Sequence, residues 1–233
     1  MRSFGLCGAA MALSLIGSGV VAAVAADPPK ATDMIFEHKH LSNTEAGQEI
    51  KYKFNRTVTD AKLLGQPFSD QVTMKVVDAK PTGERDVDLQ IYSGDRARDL
   101  QRLPKLTINP VFNVYFAQGV SSYGMLAGGQ MNYLQRAFSL GFKDKAKVEP
   151  VKVDYKGKTV DAYHISMAPY LGDPNESKMQ GWEKSQYDMI VSEHVPGEII
   201  ELKATYTNKY REQDLKLVEN YTLDGVSGLE GSK

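Results

Sequence analysis

Two histidines one residue apart carry the first chemistry this chain suggests. In Glu37-His38-Lys39-His40 an extended backbone projects His38 and His40 from the same side, and two imidazoles so placed are half of a zinc or copper site. No third ligand stands at a recognisable spacing, so the residues alone define no metal centre; a metal-dependent hydrolase built on this pair is one reading left open. His164 falls on the polar side of an alternating segment, and His194 precedes a turn. The stretch Gly119-Val120-Ser121-Ser122-Tyr123-Gly124 places serines among glycines, yet neither serine has a glycine both two before and two after it, which a nucleophile elbow requires. Phosphate-cradling and dinucleotide-binding glycine patterns and the Ser-x-x-Lys pattern are missing as well, so the sequence names no catalytic residue and implies no cofactor. Trp182 lies in a polar loop, where an indole either stacks on a sugar or a partner or folds back over a sheet edge.

The densest cluster of informative side chains is apolar. Phe112, Tyr115, Phe116, Tyr123, Met125, Leu126, Met131, Leu134 and Phe138 crowd into one short region. Methionine and aromatic side chains adapt to variable apolar shapes, so these nine are the candidate ligand-binding residues; the competing reading is an ordinary helix-on-sheet core.

The elements that must position them are read from periodicity. Alternation at Ile50, Tyr52 and Phe54, at Val72, Met74 and Val76, and at Val87, Leu89 and Ile91 predicts three strands, with Pro81-Thr82-Gly83 turning between the second and third. Asn109-Pro110 is a helix start, and Phe112, Phe116, Val120 and Tyr123 predict a helix over 110–123 that breaks or kinks at Gly124 and Gly128-Gly129. Met131, Leu134 and Phe138 predict a second helix ending near Gly141. Alternation then returns: one hairpin turns at Lys156-Gly157, another at Val195-Pro196-Gly197-Glu198, where Ile200, Leu202, Ala204 and Tyr206 carry the return strand, and Leu215 and Leu217 begin a last strand. Residues 170–184 read as a polar loop with one helical turn. The expected fold is therefore mainly β (α+β): a large curved antiparallel sheet or half-open barrel of about eight or more strands, with a helical pair inserted near 109–142 as a lid.

Residues 1–26 read as a secretory signal peptide, with Arg2, an apolar run over 4–24 and small residues before a cut after Ala25 or Ala26. Export to the periplasm or beyond follows, with residues 27–233 as a single exported β-rich domain. The one cysteine, Cys7, lies inside that leader, so the exported part has no disulfide and no thiol nucleophile. The 28 basic and 29 acidic side chains are mixed along the chain, which excludes a concentrated polyanion-binding surface and hence nucleic acid as partner. No second run is long and apolar enough to be a transmembrane helix.

The order of these elements, three strands, a helical pair, then hairpins to the end, resembles the half-barrel carriers of the bacterial envelope with the LolA/LppX-like fold, and exported proteobacterial proteins of similar build. The resemblance spans about residues 34–226 and rests on layout. It implies a lipid or acylated ligand held between sheet and helices, without a reaction. The leading expectation is thus a non-catalytic periplasmic protein binding an apolar or amphiphilic ligand under the helical insertion. The alternative is a structural or interaction component of the cell envelope with a protein partner, engaged through a strand edge or the Trp182 loop.

Overall fold

The computed structural model describes residues 28–208 and 214–228; the expected leader over 1–26 lies outside them. Among the described residues nine strands form one open antiparallel sheet: β1 (Glu49–Val58), β2 (Phe68–Ala79), β3 (Arg85–Ile91), β4 (Gln101–Leu106), β5 (Lys147–Tyr155), β6 (Lys158–Met167), β7 (Gln186–Val191), β8 (Ile199–Asn208) and β9 (Leu215–Ser227). Their order, β4-β3-β2-β1-β9-β8-β7-β6-β5, joins two meanders at the centre, where the first strand pairs with the last. The chain leaves the sheet at the β4 edge and re-enters at the opposite β5 edge. Helices α2 (Val111–Ala127) and α3 (Met131–Lys145) make that crossing over one face, while α1 (Ala61–Leu64) is a single turn between β1 and β2. The expected mainly-β sheet with a helical insertion is the fold observed.

Alternation decides which face the helices cover. Ile50, Tyr52 and Phe54 of β1, Val72, Met74 and Val76 of β2, and Tyr187 and Met189 of β7 are all fully buried on the inner face, with polar side chains between them facing outward. The two-residue turn at Lys156-Gly157 has both residues at positive φ, 52° and 73°, the geometry whose twist matches a tight hairpin. The Pro196-Gly197 turn closes with the Glu198 N–H donating to the Val195 carbonyl at 2.8 Å and Gly197 at φ 72°.

Four details differ from the periodicity. β4 carries no inward alternation, because it is a largely exposed edge strand interrupted by Pro104. The β7–β8 register shifts between Ile190 and Val191, so that Ile199 takes the buried position and Ile200 is only half-buried. Helix α2 runs through Gly124 to Ala127, and only Gly128 (φ 74°) and Gly129 (φ 104°) end it. Helix α3 runs through Gly141 to Lys145, because that glycine is a point of close approach rather than a stop: a Cβ there would lie 2.5 Å from the Pro169 Cα.

Both outer strands carry a proline, Pro104 in β4 and Pro150 in β5, each of which removes a backbone donor from its edge. Strand addition by another chain is accordingly disfavoured at both edges.

Gly141→Ala should lower unfolding free energy by about 1–3 kcal/mol, since the clash is with backbone and cannot be relieved by a rotamer change. A urea melt showing an unchanged midpoint would mean that the α3–Pro169 contact is looser than described.

Candidate functional site

Helix α2 is held to the sheet by polar bonds at its centre as well as by packing. Asn109 caps it, its Oδ1 accepting the Val111 N–H at 3.0 Å, while its Nδ2 donates to the Tyr52 hydroxyl at 2.9 Å and the Gly197 carbonyl at 2.8 Å. Tyr115 reaches down to donate to the Lys203 carbonyl at 2.8 Å. From the sheet, the Tyr187 and Tyr206 hydroxyls donate upward to the Gly119 carbonyl at 3.1 and 3.2 Å. Burial raises these phenols well above their usual range, so they stay protonated and remain donors. Gly119 admits this approach because a Cβ there would sit 2.7 Å from the Tyr187 ring.

Between these tyrosines lies a buried carboxylate. Glu219 of β9, 1% exposed, stands directly opposite Arg56 of β1 and pairs with it. Gln118 and Ser122 of α2 donate to the same oxygen at 3.1 and 3.0 Å, and the Tyr206 hydroxyl lies 3.3 Å from the other. Beneath α2 stand fully buried tyrosines and a paired carboxylate, and these bonds hold the helix to the sheet.

The hollows open instead beside the exposed ridge of α2. One, about 400 Å³, lies between α2, α3 and the helical turn Asp33–Glu37. Its wall is aromatic: Phe36 packs on Phe116 at 6.0 Å and on Phe142 at 5.3 Å, and Phe116 on Phe138 at 5.7 Å. Val120 completes the floor, and its rim bears the uncharged polar residues Thr32, Gln135 and Ser139. A second hollow of about 390 Å³ lies on the other flank of α2, against β3 and β4.

The nine expected ligand-binding residues divide accordingly. Phe116 and Phe138 line the aromatic hollow. Phe112, Tyr115, Tyr123 and Leu134 are buried core, and Leu126 is partly buried against it. Met125 and Met131 are 68% and 43% exposed and line neither hollow. Sequence reasoning missed Phe36, which sits in an irregular segment without period, and Phe142, which continues the 134, 138 spacing past the glycine taken as a stop. Trp182 is buried, and its loop covers the end of α2 through Gln180, whose side chain donates to the Ala127 carbonyl at 3.2 Å.

The histidine pair lies in a third hollow, of about 330 Å³, with Glu198 beside it. His38 Nε2 is 3.0 Å from Glu198 Oε2, and the two imidazoles meet edge to face at 5.4 Å. His40 is buried against Phe112 with Nε2 2.8 Å from the Met34 carbonyl, and burial lowers its pKa from the usual 6.5 to about 4. Burial pushes the Glu198 carboxyl up, opposed by the neighbouring His38. Among the described residues no three His, Cys, Asp or Glu side chains gather as a metal site requires. No helix among them is long and apolar enough to cross a membrane.

No family model matches the chain, and no curated protein matches it. Two solved chains do. One, from the complex structure of Pseudomonas aeruginosa MucA/MucB, is similar at 11% identity and a TM-score of 0.36 over 87% of this chain. The match spans 58% of that chain's length. The functional reading rests on this chain's own side chains.

Two outcomes follow. Glu219→Ala leaves Arg56 buried without its partner and should cost about 3–5 kcal/mol in urea unfolding; a loss below 1 kcal/mol, about the worth of an exposed pair, would show that the network is solvated. His40 binds its proton more weakly folded than unfolded, so its stabilising contribution is complete above 6.5 and is lost as pH falls towards about 4, by up to about 3 kcal/mol. His40→Gln should flatten that part of the stability profile; an unaltered slope would assign the acid sensitivity elsewhere.

Proposed function

We propose that this is an exported, non-catalytic binding protein that takes an apolar chain into the aromatic hollow beside α2. The observation that carries the reading is the hollow itself: about 400 Å³, within the size range of ligand sites, with four phenylalanines in its wall and no charged residue lining it. Phe36 is 48% exposed there, an aromatic ring left in water at the mouth of an apolar depression. An alkyl chain laid against these rings gains about 0.8 kcal/mol per methylene withdrawn from water, so about eight methylenes supply about 6 kcal/mol before ordering costs. The neutral rim of Thr32, Gln135 and Ser139 adds hydrogen bonds without requiring a charged chain.

Titration with a fluorescent dansyl fatty acid tests this. Emission should rise and shift to the blue in a saturable manner, and Phe36→Asp should weaken binding about tenfold with the circular dichroism spectrum unchanged. Phe36 is the informative position because it is half out of the core, whereas Leu134→Asp would place a carboxylate in it and unfold the protein. A native protein that leaves the probe's emission unchanged would overturn the reading.

A further inference from the structure

The hollow on the other flank of α2 differs in kind from the aromatic one. Its floor is apolar, from Leu89, Ile91, Leu103 and Val114. Around that floor stand Arg98, Gln101, Asn113 and Ser121, and the polar ends of these four side chains make no hydrogen bond or ion pair to the rest of the protein among the described residues. Arg98 lies over the Tyr92 ring at 5.9 Å and is the one charged residue lining this hollow. Elsewhere near α2 the donors are engaged: Gln118 and Ser122 on Glu219, Asn109 on Tyr52 and Gly197. All four side chains are exposed, so a cation and three neutral hydrogen-bonding groups stand around one apolar depression with their polar ends open to solvent, the complement of an anionic group attached to something apolar.

The two hollows share one lining residue. Ala117, exposed on the ridge of α2, lines both. Its neighbours along that ridge at helical spacing, Asn113 and Ser121, are also small and exposed. A chain can therefore cross α2 over a methyl group, where any large side chain would form a wall.

We infer that the ligand is a single-chain amphiphile with an anionic head, its carboxylate or phosphate bound at Arg98, Gln101, Asn113 and Ser121, and its alkyl chain running over Ala117 into the phenylalanine hollow. This rests on the proposed function and specifies the chemistry of the molecule it takes. Charge complementarity selects the head, the order of the hollows fixes its direction, and the arrangement assigns Ala117 a role in specificity, since its size decides whether the hollows communicate.

The test is calorimetric titration of the full exported chain with dodecanoate, dodecyl phosphate and dodecanol, each below its aggregation threshold. The anions should bind about tenfold more tightly than the alcohol, and Arg98→Gln should erase that difference by weakening the anions about tenfold. Preference for dodecyl phosphate over dodecanoate assigns a phospholipid-derived head, and the reverse a free fatty acid; either supports the inference. Ala117→Phe should weaken all three ligands with the circular dichroism spectrum retained. Equal binding of alcohol and anions, or an Arg98→Gln protein with native affinity for both anions, would overturn the head-group assignment while leaving the aromatic hollow as a binding site. Binding of none of the three by the native protein would instead overturn the proposed function beneath it.

Discussion

A carboxylate occupies a place where the alternation of the sheet demands an apolar side chain. Glu219 lies between Leu217 and Tyr221 on the inner face of β9, and a charge withdrawn from water there persists only if its surroundings supply a countercharge and donors. Arg56 provides the charge from the adjacent strand, directly opposite in register, and thereby ties the first strand to the last at the seam between the two meanders. The remaining donors come from Gln118 and Ser122 of α2. Helix α2 is thus fixed over the centre of the sheet, because displacement along its axis would remove two donors from a buried anion.

Much else is geometry forced by that placement. With Gln118 and Ser122 facing Glu219, Gly119 faces Tyr187, and only a residue without a side chain fits. Its carbonyl in turn receives two tyrosine hydroxyls, so Tyr187 and Tyr206 fill the inner face with their polar ends satisfied. A helix attached in this way is a poor lid. What it leaves exposed is the opposite ridge, Asn113, Ala117 and Ser121, with depressions on both flanks. The resemblance to half-barrel carriers implied a ligand between sheet and helices; buried tyrosines line that interior, and the proposed site lies on the outside of α2.

The segment before β1 matters for the same reason. It brings Phe36 to the aromatic wall and is itself tied down at several points: Leu41 N–H bonds to the Thr107 carbonyl at 3.0 Å, Arg85 donates to the carbonyls of Ser42 and Thr44, and Asn43 bridges to the turn at Gly197. A stretch with no periodicity of its own therefore supplies one wall of the proposed site, held by hydrogen bonds to residues distant in sequence.

The sequence by itself determined what is local. Strands β1, β2, β3, β6 and β7 were legible because a period of two with one apolar face is a property of consecutive residues, and the capped start of α2 and the Lys156-Gly157 and Pro196-Gly197 turns because each depends on a few adjacent side chains. Only the tertiary structure decided where glycines end helices and where they admit a neighbour: Gly124 and Gly141 look like stops until Leu134, Met131 and Pro169 are seen lying against them. It also decided the partners of Glu219. In sequence that residue merely interrupts an alternation, and its meaning depends on Arg56, more than 160 positions away. The site followed the same rule. Phe116 and Phe138 could be named from spacing, but Phe36, Arg98 and Ala117 acquire their roles only when segments far apart in the chain meet around α2, since a hollow is a relation between surfaces.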